Sequence, residues 1–295
     1  SRGKVSRAAA PLGCFCGRAC EMRNAQGRSG AKALHKAVRT KLPLLSVPIK
    51  SNKIKVKFRP FPAHRASGCK TAGIRKGNSL YDASGPILEA EKLASEVFGT
   101  ARTCLSAGGC TLAIQAMLRL GAPEGGKVLC SRVIHRSAVN AMALLGLQPV
   151  WAVPDGLLPA LSAHPDVKAV YVTSPNYYGQ ILDLVPTARV CRSMGIPLLV
   201  DCAHGAHLMF TEPRLHPLLA GASMTADSAH KTLGVLTGGA WLNLADARYA
   251  ADAKSAMALF GSTSPSYPVM ASLDLAREWL GTHPGAFRPV QEAVK

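Results

Sequence analysis

A lysine placed directly after an apolar strand can become a nucleophile, because enclosure disfavours its ammonium form. Lys231 has such a setting. The run Asp227-Ser-Ala-His-Lys-Thr-Leu233 follows a short apolar stretch and leads into Gly234, Gly238 and Gly239. An enclosed amine there could form a Schiff base with a carbonyl cofactor; a solvated loop lysine is the ordinary alternative. Asp201, in Leu199-Val-Asp-Cys-Ala-His-Gly-Ala-His207, ends an apolar strand. Its carboxylate needs a partner, either the turn that it caps or the protonated nitrogen of a pyridine ring. Ala203, two residues on, lies on the same side and could pack against such a ring. In Ser106-Ala-Gly-Gly-Cys-Thr111, Gly108 and Gly109 precede a helix whose N-terminus suits a phosphate. Ser228 can add a hydroxyl to that phosphate. His135, in Val133-Ile-His-Arg-Ser137, could stack on the ring face opposite Ala203 or cap the next helix. The turn Gly261-Ser-Thr-Ser-Pro-Ser-Tyr267 could bind phosphate or supply an N-cap.

These residues need a scaffold. From Tyr81 onward the sequence alternates short apolar runs with segments of helical spacing. Helices are expected at 86–98, 111–120, 137–145, 158–163, 185–194 and 269–280. Strands are expected at 103–106, 128–130, 149–153, 169–173, 197–201, 224–228 and 240–244. Repeated alternation implies parallel strands with crossover helices, and continuous apolar strands imply helices on both sheet faces. Ligands of such α/β sheets lie beyond the carboxyl ends of the strands. That rule picks out Gly108–Thr111, His135, Thr173–Tyr178, Asp201–His204 and Ser228–Lys231, the segments richest in chemistry.

Charge divides the chain. The protein has 295 residues and a formal net charge of +18. Residues 1–80 hold 19 Lys and Arg and one acid, Glu21, whereas 81–295 hold 16 of each sign. The first segment reads as disordered or foreign to the fold, as an organelle-targeting peptide, or as an arm for a polyanion. Its single aromatic before Phe58, Phe15, makes a nucleic-acid stacking surface a poor fit. No apolar run has the roughly 18–20 residues of a membrane span. Cys104, Cys110, Cys130, Cys191 and Cys202 sit in apolar segments, as reduced core residues of a cytoplasmic protein do. Cys14, Cys16 and Cys20 lack a fourth ligand nearby, so no metal site is expected.

Taken together, these segments resemble the prokaryotic-type Orn/Lys/Arg decarboxylases, pyridoxal phosphate enzymes of fold type I. The matching stretches are Gly85-Pro-Ile-x-Glu-Ala-Glu, Val133-Ile-His-Arg-Ser, Thr173-Ser-Pro-Asn-Tyr-Tyr-Gly179, Val200-Asp-Cys-Ala-His-Gly-Ala-His, Ser228-Ala-His-Lys-Thr-Leu-Gly and Ser262-Thr-Ser-Pro-Ser-Tyr. A fainter match falls at 42–45 and at Pro62-Ala-His-Arg65. The resemblance implies a large domain at 81–280 with a mostly parallel sheet covered by helices, after a basic segment at 1–80. It implies that Lys231 is the Schiff-base lysine, that Asp201 faces the pyridine nitrogen, that His135 stacks on the ring, and that Ala203 and His204 pack beside it. Gly108, Gly109, Cys110, Ser228 and His230 would hold the phosphate through backbone and side chains. Ser262 and Thr263 would reach the phosphate of a neighbouring subunit, so a homodimer or larger homo-oligomer is expected. The substrate would be lysine, ornithine or arginine, in polyamine metabolism.

The sequence departs from the family in places. Gly108 and Gly109 stand where the family has a Ser/Thr pair, so phosphate binding would lean on backbone N–H groups. The connection at 155–158 is short, as is the stretch between Arg65 and Tyr81, which lacks an acidic D-x-T-E pattern. Residues 281–295 read as the start of a C-terminal region whose small domain is missing. An aminotransferase, a carbon–carbon lyase and an inactive member are the alternatives. Aminotransferases hold the substrate carboxylate with a C-terminal arginine that cannot be assigned in this sequence; Arg277 lies in a helix and is expected to face solvent.

Overall fold

The structure is a computed structural model and describes residues 80–82 and 84–294. The basic segment, the Cys14–Cys20 cluster, the 42–45 stretch and Pro62-Ala-His-Arg65 lie outside the described residues.

The first helix, α1 (Gly85–Phe98), starts on Pro86 and ends at Gly99, whose φ of 62° gives the left-handed cap. Its buried residues Ile87, Ala90, Glu91, Ala94 and Phe98 recur at helical spacing. After it come β1 (Arg102–Ser106), α2 (Gly109–Gly121), β2 (Lys127–Ser131), α3 (Arg136–Leu144) and β3 (Gln148–Ala152). Then follow α4 (Leu157–Ala163), β4 (Ala169–Thr173), α5 (Val185–Ser193), β5 (Leu198–Asp201) and α6 (Leu208–Thr211). The series ends with β6 (Met224–Asp227), α7 (Ala229–Thr232), β7 (Ala240–Leu244), α8 (Ala253–Ala258), α9 (Tyr267–Thr282) and α10 (Arg288–Val294). Residues of α10 belong to a unit separate from the one that closes at Phe287.

The seven strands form one sheet in the order β1-β7-β6-β5-β4-β2-β3. Strands β3, β2, β4, β5 and β6 pair in parallel, and β7 runs antiparallel to both β6 and β1. From β2 the chain steps outward to β3 and returns on the other side to β4, so the strand order reverses there. A reversal of this kind opens a crevice at the carboxyl ends. Helix α2 carries the chain from the β1 edge back over β7, β6 and β5, and its N-terminus lies beside the strand ends at Ala226 and Asp201.

One core cluster lies between α2, α3, α8 and the sheet, with Met117, Tyr171, Leu199 and Leu242 in it. A second, under α1 and α9, gathers Phe98, Trp241, Met270 and Leu273. The third joins α4 and α5 to the sheet through Leu161, Val170, Val172 and Leu198. Helices therefore cover both faces, with one exception to the expectation. Edge strand β3 is mostly open, and Trp151 is 46% exposed. An edge strand has a neighbour on one side only, so less of it is packed away.

A buried ion pair fastens the outer layer. Lys254 of α8 bonds Glu91 of α1, and the same Glu91 oxygen accepts the Leu105 N–H of β1 at 2.9 Å. Burial pushes the Glu91 carboxyl up, and Lys254 opposes that rise. Removing one member of a buried pair strands the other charge. Lys254→Met should therefore cost about 3–5 kcal/mol in urea unfolding. Adding Glu91→Gln, which keeps an acceptor for Leu105, should recover most of that loss.

Candidate active site

Asp201 ends β5 with 1% exposure. Thr173 of β4 stands opposite it in register, so Tyr171, two residues earlier, shares its face. The Tyr171 hydroxyl donates to Asp201 Oδ2 at 3.3 Å, and the Ala203 N–H donates to Oδ1 at 3.1 Å. The Cys110 thiol, 3.9 Å from Oδ1, donates to the Ala226 carbonyl at 3.3 Å. Burial raises the Asp201 carboxyl above the usual carboxylate range. The Ala203 N–H, Lys231, His135 and Tyr171 pull it back.

Lys231 stands on α7, the four-residue helix after β6. Its Nζ lies 3.2 Å from His204 Nε2. The side chain is exposed rather than enclosed, because a single helical turn beyond the carboxyl end of β6 leaves its outer side open. An ammonium donating to Nε2 requires a neutral imidazole with its proton on Nδ1. Burial, and then Lys231, lower the pKa of His204 and favour that neutral form, while the Pro175 and Asn176 carbonyls act the other way. His135 caps α3: its Nδ1 accepts the Ser137 N–H at 3.2 Å and meets Ser137 Oγ at 2.8 Å. These contacts fix the ring.

The phosphate expectations need correction in two places. The Gly109 N–H is spent on the Gly238 carbonyl at 2.8 Å, and the Gly108 N–H reaches Ser106 Oγ at 3.3 Å. A helix leaves four N–H groups without partners at its start. Among the described residues, those of Cys110 and Thr111 are the two left over at α2. The Cys110 side chain points toward Asp201, so this residue can offer a phosphate only its backbone. Gly109 has a φ of 71°, which favours glycine at the turn. Ser228 is fully buried, and its Oγ lies 3.3 Å from His230 Nδ1, which also bonds the Gly239 carbonyl at 3.0 Å. Ser262 and Thr263 are exposed on the turn before α9, and no hydrogen bond joins them to Lys231 or Asp201. Arg277 departs from expectation too. Its guanidinium is folded onto Asp274 at 2.6 Å, and its side chain is only 12% exposed.

Sequence reasoning missed the support behind the site. Asp227 ends the next strand but faces the opposite side of the sheet, because Ala226 is the residue paired with Asp201. His216 Nε2 lies 3.3 Å from Asp227 Oδ2, and His216 Nδ1 accepts the Leu218 N–H at 3.4 Å. The proton is therefore on Nε2 and donates to Asp227, which leaves no lone pair there for a metal ion. Cys202 completes this buried group as a hydrogen-bonding neighbour of His216. Asn243 of β7 donates to Asp227 Oδ2 at 2.5 Å and accepts from Thr103 of β1 at 2.8 Å. Each of these polar residues lies in a strand or loop that reads as ordinary core.

The Orn/Lys/Arg decarboxylase major-domain family model matches residues 71–295. The chain belongs to this family. A Halalkalibacterium halodurans arginine decarboxylase is 35% identical over 242 residues, 77% of this chain and 49% of the relative. Bacillus subtilis YaaO, an uncharacterized protein, is 37% identical over 220 residues, 69% of this chain and 46% of its own. The chain thus spans about half the length of these curated relatives. Lysine decarboxylase A from Pseudomonas aeruginosa superposes with a TM-score of 0.62 at 23% identity, covering 72% of this chain and 33% of that one. That likeness gives the fold, the fold-type I large domain.

Pyridoxal phosphate is the cofactor that the family implies, and the residues present fit it. A buried carboxylate suits the pyridine nitrogen, a nearby amine suits the aldehyde, and the free N–H groups at the start of α2 suit the phosphate. Thr173 Oγ1, across from Asp201, and Thr232 Oγ1, beside Lys231, are buried polar atoms without a partner among the described residues.

Burial of Asp201 implies a stability test on the cofactor-free protein. A carboxyl whose folded pKa is raised stabilises the fold below its unfolded pKa, and that contribution is lost as pH rises through the folded value. Asp201→Asn should therefore melt higher than wild type at pH 7, by roughly 2–4 °C per kcal/mol regained. The difference should shrink toward pH 4 in thermal scans.

Proposed function

We propose that this chain is the major domain of a pyridoxal phosphate-dependent decarboxylase of a basic amino acid: lysine, ornithine or arginine. One arrangement carries the reading. A buried carboxylate (Asp201), an amine (Lys231) and the unfilled N-terminus of α2 converge at the carboxyl ends of the strands. The relatives of over 30% identity that are named for a substrate favour arginine.

When bound, the cofactor supplies an electron sink for the charge that develops at the substrate's Cα as its carboxylate leaves. The chain's own residues divide the remaining work. Asp201 would hold the pyridine nitrogen and favour its protonated form. The Ala203 N–H and the Tyr171 hydroxyl keep Asp201 oriented for this task. Lys231 Nζ is the amine that would hold the cofactor's aldehyde and would be free to release it when the substrate's amine takes its place. His204 accepts a hydrogen bond from Nζ and so fixes its direction. His135, held by Ser137, would offer its ring to one face of the cofactor, and Ala203 would offer a methyl to the other. The N–H groups of Cys110 and Thr111, with Ser228 and His230, hold the phosphate. Gly108 and Gly109 shape that turn rather than donate. Arg277 is engaged by Asp274 and takes no part in this arrangement.

Ser262 and Thr263 are assigned to the phosphate of a second subunit, in a homodimer or larger homo-oligomer. Residues 81–280 form the cofactor domain, and 1–80 are a separate basic segment. Five buried free thiols support a reducing compartment, the cytoplasm. The amine product would enter polyamine metabolism.

The test is release of labelled carbon dioxide from carboxyl-labelled arginine, lysine and ornithine by the cofactor-loaded protein. At least one should be consumed, and Lys231→Ala should lose about 10²–10⁴-fold in rate. Equal turnover by Lys231→Ala would refute the assignment.

A further inference from the structure

A basic substrate brings a second cation, and something must hold it. Among the described residues, the loops that leave β4 and β5 at this mouth meet no carboxylate before Asp183 and Glu212. The strand-end segments 107–111, 132–136, 174–182, 202–211 and 228–239 contain no Asp or Glu. They carry instead Arg132, His135, Arg136, His204, His207, His230 and Lys231. The two acids close to the site, Asp201 and Asp227, are 1% and 0% exposed and are already engaged.

What the mouth does offer is aromatic. Tyr177 and Tyr178 are 80% and 85% exposed. Their rings meet edge to face, with centroids 5.6 Å apart at 87°. Tyr177 meets the His204 ring in the same way, at 5.8 Å and 79°. His204 in turn touches Lys231 Nζ at 3.2 Å. Consecutive rings set nearly perpendicular form the corner of an aromatic cage, and such cages attract organic cations through their π faces.

The corner is held in place. Asn176 Oδ1 accepts the Tyr178 N–H at 2.9 Å and the Gln180 N–H at 3.0 Å, and Asn176 Nδ2 donates to Gln180 Oε1 at 2.7 Å. Backbone bonds between Asn176 and Gln180 and between Gly179 and Asn176 close the loop. The loop is seated tightly on the segment that carries His204: a Cβ added at Gly205 would fall 2.5 Å from Pro175 Cδ. Rigid aromatic groups lose little entropy on binding.

We propose that Tyr177 and Tyr178, with His204 as the third wall, form the subsite for the distal cation of the substrate, the guanidinium of arginine or the ammonium of lysine or ornithine. This rests on the decarboxylase reading given above. Recognition is by ring faces rather than by an ion pair, so the positive rim remains free for the substrate's carboxylate.

The experiment uses the cofactor-loaded chain and compares arginine with citrulline, which has the same shape but a neutral ureido end. Wild type should favour arginine. The double variant Tyr177→Leu/Tyr178→Leu should raise KM for arginine roughly 3- to 30-fold with little change in kcat, and leave citrulline as it was. Tyr177→Phe/Tyr178→Phe should behave like wild type, since the ring faces remain. Calorimetric binding of agmatine, a guanidinium amine, should weaken in the Leu variant and not in the Phe variant. Both side chains are exposed, so equal melting temperatures are expected. Unchanged arginine KM and agmatine affinity in the Leu variant would overturn the subsite while leaving the decarboxylase reading intact. A wild-type protein that consumes none of the basic amino acids would instead count against that reading.

Discussion

An ionised carboxylate at the end of a buried parallel strand is costly, because water is excluded and the apolar surroundings do not stabilise charge. Asp201 occupies such a position, with two neutral donors, the Ala203 N–H and the Tyr171 hydroxyl, set against its two oxygens. Neutral donors offset part of the cost of burial and leave the carboxyl shifted upward. A cationic partner would recover the rest. The pairing of β4 with β5 that brings Tyr171 to this oxygen, and the crossing of α2 that brings Cys110 and Gly109 alongside, make sense around that requirement.

The two adjacent strand-end aspartates divide the labour by parity. Asp201 faces α2 and the crevice. Asp227, at the end of β6, faces the other way and is clamped by His216 and Asn243. The clamp fixes the start of α7, so Ser228 and Lys231 leave the sheet in a set direction. Phe98, packed on Trp241 at 5.2 Å and on His216 at 6.0 Å, ties the clamp to the apolar core under α1.

Much of this was legible beforehand. The expected strands at 169–173 and 240–244 coincide with β4 and β7, since short, mostly apolar runs between turn segments leave little choice. Helix α2 begins two residues earlier than its apolar spacing suggests, because Gly109 enters the helix with a positive φ. Segments α6, α7 and α8 were not legible: each is six residues or fewer, too short to show a period. At the site, Lys231, Asp201, His135 and the α2 turn stand out by type and by position after strands. Tyr171, His216 and Asn243 do not, because a polar atom inside an apolar strand or loop shows its role only once register supplies its partner. The direction of the Gly109 N–H was hidden for the same reason, since Gly238 is remote in sequence. Exposure of Lys231 likewise depends on how short α7 is.

The central claim is that Lys231 is the point of attachment for a carbonyl cofactor beside a buried aspartate. It is tested most directly by adding pyridoxal phosphate to the protein, reducing with borohydride, and mapping the pyridoxyl group by peptide mass spectrometry. The account predicts one dominant modified peptide bearing the group on Lys231, with labelling there strongly diminished in Asp201→Ala. Pyridoxyl spread evenly over surface lysines, or labelling at Lys231 that ignores Asp201, would contradict it.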